Sequence, residues 1–150
     1  MWKGSKIALE EGIKNAAFLR TRIEQIESFF GPGEIDEVWI TFPDPFPKRS
    51  DENKRLTSPN MLKRYAPILK KGAVLHLKTD ATKLYEYTKE VLRDHSQFEL
   101  LYTNDNIYAN REEDFDLLYV QTFYEKQHLE EGRSIHYLRF AMTAPHEKVS

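Results

Sequence analysis

Asp44 sits in Phe42-Pro43-Asp44-Pro45-Phe46-Pro47-Lys48, where proline occupies every second position. Each ring fixes φ near about −65° and drives the residue before it into extended backbone. A carboxylate, and an ammonium four residues on, are therefore presented by a stiff segment. Such a segment can orient a reactant without ordering it afresh at each turnover. The plainer reading is a proline-terminated edge loop with an exposed acid. Asp80 follows the apolar run Ala73-Val74-Leu75-His76-Leu77. There it can cap the next helix or face a ligand beyond the carboxyl end of a strand. Thr122-Phe123-Tyr124-Glu125 reads first as a capping box. Its second reading turns the threonine hydroxyl and the first helical amides toward a polar ligand.

Other chemistries find no residues to carry them. The histidines, at 76, 95, 128, 136 and 146, lack metal-ligand spacing, so no metal site is expected. His76 and His136 fall in strands and read as packed. No Ser-His-Asp set is inferable. Gly31-Pro32-Gly33 follows a helix and enters a strand, the wrong context for a dinucleotide loop.

The elements that must position these residues alternate along the chain. The pattern predicts a helix over 2–11 stopped by Gly12, a short buried strand at Ala16-Ala17-Phe18-Leu19, and a short helix carrying Ile23, Ile26, Phe29 and Phe30. A strand over 37–42 ends at Pro43, which cannot donate to a ladder. Ser58 and Pro59 start a helix with Leu62, Tyr65, Ala66 and Leu69 on one face. Pro67 should kink or end it, with Gly72 as its close. A strand over 73–77, a helix bearing Leu84, Thr88, Val91 and Leu92, and strands at 98–102 and 135–140 follow. The fold class is α/β, a sheet expected to be parallel with helices on both faces. The 150 residues carry no repeat or linker and are read as one domain, 1–150.

Composition narrows the classes. No apolar run approaches the roughly 18 residues of a membrane helix, and Met1-Trp2-Lys3-Gly4 opens no signal peptide. A cytoplasmic protein without membrane partners is expected. The absence of cysteine removes disulfides, thiol nucleophiles and Cys-based metal sites. Net charge is −2, but eight basic residues between Pro45 and Lys71 face only Asp51 and Glu52. The acid gathers at Glu112-Glu113-Asp114 and Asp116. A basic stretch in a near-neutral chain can hold a polyanion locally, or simply be a solvated face.

Together the motifs form a set. Val38 to Phe42 with Pro43-Asp44-Pro45-Phe46-Pro47-Lys48, then Lys54-Arg55-Leu56, Leu77-Lys78-Thr79-Asp80, Thr122-Phe123-Tyr124-Glu125, and Gly132 before Ile135-x-Tyr137-Leu138-x-Phe140 closely resemble the bacterial tRNA (guanine-N7)-methyltransferases. The resemblance spans essentially the whole chain. It implies a Rossmann-like class I methyltransferase sheet that uses S-adenosylmethionine to methylate N7 of a variable-loop guanine in tRNA. Carried over by position, Asp44 matches the catalytic and cofactor-contacting aspartate. Arg22 and Ile23 match cofactor contacts, made through backbone because Arg22 stands where the family often has Asn or Asp. Lys48, Asp80, Thr122, Phe123, Tyr124 and Glu125 match substrate contacts. Ser50, Asp51, Glu52, Asn53, Lys54 and Arg55 match the RNA-contacting loop, although Asp51 and Glu52 dilute its positive charge. Phe46 stands where Trp is common.

The family's basic arm, its first two strands and the glycine-rich turn have no counterpart here, so the chain reads as a partial domain lacking strands 1 and 2. Their absence leaves unpaired edges on an apolar strand. Either those strands lie outside this chain or the flank rearranges, a homodimer being the second outcome. Two other functions stand beside the methyltransferase. One is a catalytically silent RNA-binding or assembly module, separable by calorimetry with S-adenosylmethionine. The other is a methyltransferase acting on exocyclic nitrogens, which the single proline after Asp44 disfavours.

Overall fold

The computed structural model describes residues 2–111 and 115–143. Met1, the acidic run Glu112-Glu113-Asp114 and His146 lie outside the described residues. Four strands, β1 (Ile35–Thr41), β2 (Leu69–Thr79), β3 (Phe98–Asn104) and β4 (His136–Met142), form one sheet in the order β1-β2-β4-β3. β1 and β2 run parallel, with Trp39 opposite His76 and Thr41 opposite Lys78. β4 is antiparallel to both of its neighbours. The sheet is thus mixed where a parallel one was expected. The signal was in β4: Leu138, Phe140 and Met142 alternate with Tyr137, Arg139 and Ala141, the period of an antiparallel strand with two unlike faces.

Leu75, Leu77, Leu138 and Phe140, none of them exposed, pack one face of the sheet against α2 (Pro59–Tyr65) and α3 (Thr82–Arg93). Each side chain so buried stabilises the fold by about 1.5–3 kcal/mol. The opposite face is aromatic. Trp39, Tyr102 and Tyr137 meet Phe115, Ile107 and Leu118 from the connection after β3 and its 3-10 turn Asp116–Tyr119. α4 (Phe123–Glu130) joins that side through an ion pair to Lys78.

Local chemistry accounts for most boundaries. Ser58 Oγ accepts the Met61 amide at 3.3 Å, and Pro59 occupies the first helical position, so α2 starts there. Pro67 ends its regular part: α-helix stops at Tyr65 and Ala66–Ile68 tightens into a 3-10 turn. Gly72 does not close that helix. It lies inside β2 at φ +80°, in a bulge where the register jumps from Leu69 opposite Ile35 to Val74 opposite Glu37.

Residues 16–19 are no strand. They are exposed, Phe18 and Leu19 each at 48%, and the Phe18 ring rests on Gly4 of α1 (Trp2–Glu10). A strand exists only where a neighbour pairs its amides and carbonyls, and among the described residues none does so here. The outer edge of β1 likewise has no strand beside it among the described residues.

His76 stacks on Trp39 with ring centroids 4.0 Å apart and planes 4° from parallel. Its Nδ1 lies 2.8 Å from the Tyr137 hydroxyl and its Nε2 2.9 Å from Glu37. Burial holds its pKa below the ordinary value, against the pull of Glu37 and with the help of Arg139. His95 is lowered too, by burial and Lys63. The unfolded chain takes up these protons as pH falls through about 6.5 while the folded chain resists, so acid destabilises the fold. The urea midpoint should therefore fall between about pH 7.5 and about pH 5.5, and His76→Gln should shrink that fall. An identical fall in the variant would remove His76 as a source.

Candidate active site

The chain leaves β1 through a strained tip. Phe42 and Phe46, each before a proline and therefore expected extended, instead adopt left-handed backbone, φ +48° and +42°, which costs a bulky residue about 1–3 kcal/mol. Between them Pro43, Asp44 and Pro45 are held as a rigid arch. Arg55 braces the far end, donating from Nε and Nη2 to the Phe46 carbonyl at 3.1 and 3.0 Å. Its guanidinium also lies 4.2 Å from the Tyr87 ring centre. Burial and Glu52 push the Tyr87 phenol up to about 12. At the crown Asp44 is exposed, and among the described residues no hydrogen bond or ion pair engages it. Its carboxylate is presented, not consumed.

Beside this tip, at the carboxyl ends of β1 and β2, lies a cavity of about 270 Å³ lined by Trp39, Thr41, Phe42, Lys78, Val120 and Glu125. Asp44 is outside its wall, two residues from Phe42. Thr122 Oγ1 caps α4 by accepting the Glu125 amide at 3.1 Å. The reciprocal half of a capping box does not form. Glu125 turns inward instead, fully buried, with Oε1 2.7 Å from Lys78 Nζ and accepting the Tyr108 hydroxyl at 2.6 Å. Its Oε2 is buried with no hydrogen-bond partner among the described residues. Burial and the bond to Glu125 raise the Tyr108 pKa well above its usual value. Phe123 and Tyr124, at 78% and 67% exposure, stand outward from the start of α4.

Asp80 is not the helix cap. Ala81 occupies that position without a side-chain bond, and Asp80 accepts from Arg133 Nη1 at 2.8 Å with His128 Nδ1 3.4 Å away. The Phe42 ring meets the His128 ring edge-on at 5.9 Å. The β1 tip, the end of β2 and α4 are thereby gathered in one place.

On the other side of β1 a hollow of about 500 Å³ is lined by Ile23, Ile26, Phe30, Val38, Pro43 and Leu56 among others. Ile23 opens the 3-10 turn Ile23–Ser28, with the exposed Arg22 just before it. The first amides of such a turn have no partner within it. An apolar slot with backbone donors at its mouth can seat a flat heteroaromatic ring, and Pro43 brings this slot next to Asp44.

Ser50, Asp51, Glu52, Asn53 and Lys54 lie in the 3-10 turn Arg49–Lys54, not in an open loop. Lys54 pairs with Asp51 at 2.7 Å, and Ser58 Oγ donates to the Asn53 carbonyl. Lys48 and Arg49, just before, are exposed. Sequence reasoning gave no role at the site to Lys78, Tyr108, His128 or Arg133. For Lys78 the signal was a lysine interrupting an apolar strand run, a position where burial demands a partner. Arg55→Met should lower turnover of the site by about tenfold or more through a loosened tip, with little change in polyanion affinity. Loss of affinity instead would make Arg55 a phosphate contact.

Residues 4–138 match the family model described as "Putative methyltransferase". The chain belongs to this methyltransferase family. A protein from Christiangramia forsetii, named tRNA (guanine-N(7)-)-methyltransferase, is 45% identical over 93% of this chain and 62% of its own length. One of the same name from Porphyromonas gingivalis is 41% identical over 97% of this chain and 58% of its own. The chain spans about three fifths of the length of these relatives. Among solved structures, the (4+2)-cyclase SpnF superposes with a TM-score of 0.53 at 11% identity, over 93% of this chain and 61% of that one. The methyltransferase family match and this likeness of fold make the sheet a Rossmann-like α/β sheet. Among the described residues no helix is long and apolar enough to cross a membrane.

Proposed function

We propose that this chain is part of a tRNA (guanine-N7)-methyltransferase, moving a methyl group from S-adenosylmethionine to N7 of a guanine. One observation carries the reading. A buried carboxylate with one oxygen unpaired lines a cavity walled by Trp39 and Phe42, directly beside the arch that presents Asp44. Enzymes that act on a base draw it into such a pocket, stack it and read its pairing edge. Guanine offers N–H donors on that edge, and its N7 lone pair lies on the opposite one. A guanine whose pairing edge meets Glu125 turns N7 away from the carboxylate, open to a methyl donor. N7 carries no proton, so no general base is required. The purine becomes cationic as the N–C bond forms, and the Asp44 carboxylate favours that charge from a fixed position.

S-adenosylmethionine supplies an electrophilic methyl on sulfonium. The residues present suit it. Ile23, Ile26 and Pro43 offer apolar contact to its adenine, the first amides of the 3-10 turn after Arg22 offer donors, and Asp44 offers a carboxylate at the rim. Lys48 and Arg49 meet tRNA phosphates, while Phe123 and Tyr124 offer exposed rings to unpaired bases. Arg133 screens Asp80 until substrate competes for it. Neutralising Lys48 and Arg49 together should reduce the salt slope of log K for tRNA by about 1.5; an unchanged slope removes both from the interface. The unpaired edge of β1 is where a second copy would add in a homodimer. The decisive assay incubates the complete protein with tRNA and methyl-labelled S-adenosylmethionine, then identifies the labelled nucleoside. 7-Methylguanosine is expected. Label on any other nucleoside, or none, overturns the proposal.

A further inference from the structure

Lys78 stands in the middle of the gathered elements and is only 3% exposed. An ammonium in that position must satisfy every proton it carries. It does so by donating to the Leu118 carbonyl at 2.6 Å and to the Val120 carbonyl at 3.3 Å, and by an ion pair with Glu125 Oε1 at 2.7 Å. One residue at the end of β2 therefore pins both the 3-10 turn Asp116–Tyr119 and the first turn of α4. It also decides how Glu125 is turned. Among the described residues the two groups that meet that carboxylate, the Lys78 ammonium and the Tyr108 hydroxyl, converge on Oε1, and Oε2 is the atom left without a hydrogen-bond partner.

We infer that Lys78 is a positioning residue for base specificity: by saturating Oε1 it fixes Glu125 with Oε2 as the acceptor that tests the target base for an N–H edge. The inference rests on the guanine reading above and adds a residue to it. Lys78 touches neither base nor methyl group. It acts through Glu125, so its loss should change which bases are accepted more than how fast an accepted base reacts. A lysine that merely held the fold together would depress every substrate alike.

The test compares tRNA carrying guanosine at the target position with tRNA carrying inosine there, which lacks the exocyclic amine but keeps N7. The unaltered complete protein should prefer guanosine by about tenfold or more in kcat/KM. Lys78→Met should bring that ratio to within about threefold of unity, and combining it with Glu125→Gln should narrow it no further, as expected for groups acting in series. Because the ratio compares two substrates on one preparation, partial unfolding does not affect it. Should Lys78→Met fail to fold, Tyr108→Phe removes the other donor to Oε1 and should narrow the ratio in the same direction. A protein that methylates no tRNA overturns the functional reading itself. A protein that methylates guanosine in tRNA yet keeps its full preference in both variants overturns the role of Lys78 alone.

Discussion

Asp44→Asn should cut methyl transfer by about a hundredfold or more while leaving tRNA affinity within about threefold. The arch explains both halves of this expectation. Phe42 and Phe46 hold left-handed backbone on either side, Arg55 clamps the Phe46 carbonyl, and the carboxylate at the crown is exposed and unpaired among the described residues. The substitution removes charge and little else, so binding that depends on phosphate contacts is spared. A group preorganised around developing positive charge works only as the methyl moves. Single-turnover rates with saturating tRNA, beside equilibrium binding, separate the two effects. Near-normal single-turnover rates would take Asp44 out of the chemistry. An equal loss of binding would make it a substrate contact.

Glu125→Ala should destabilise the fold by about 3–5 kcal/mol, the largest effect on stability of any single change at the site. The alanine leaves Lys78 charged, buried and short of one acceptor, and it strips the Tyr108 hydroxyl of its partner. Removing both charges together should cost less than removing one. Lys78→Met with Glu125→Leu is expected to recover part of the loss, though not all, because the Leu118 and Val120 carbonyls keep no donor. Urea unfolding of both variants supplies the cycle. A Glu125→Ala loss below about 1 kcal/mol would mean that water reaches this pair and that Glu125 is not the dry acceptor required here.

The α/β alternation, the strand end at Pro43, the Ser58 cap and the Pro67 break could be read from sequence because each rests on local chemistry. A proline without an N–H or a serine before one acts the same way in any context. What escaped depended on partners distant in the chain. Residues 16–19 are apolar enough for a strand, yet no neighbour pairs them. Asp80 is the right type for a cap, but Arg133, 53 residues away, takes it. Arg55 lies in a basic stretch and reads as a phosphate ligand, although its donors are committed to Phe46. Thr122 and Glu125 fit a capping box in which only the threonine caps. Glu125 is drawn inward by Lys78, 47 positions back in the sequence, and no pattern within α4 could reveal that. Both members of this long-range pair line the cavity beside Asp44.

The proposed reaction requires a guanine seated with N7 toward the methyl donor. Replacing only that guanosine in the tRNA with 7-deazaguanosine tests it directly, since the base keeps its pairing edge and loses the nucleophilic nitrogen. Binding should be unchanged and labelled methyl transfer should drop to background. Continued methylation of the deaza substrate at the same nucleotide would contradict the account.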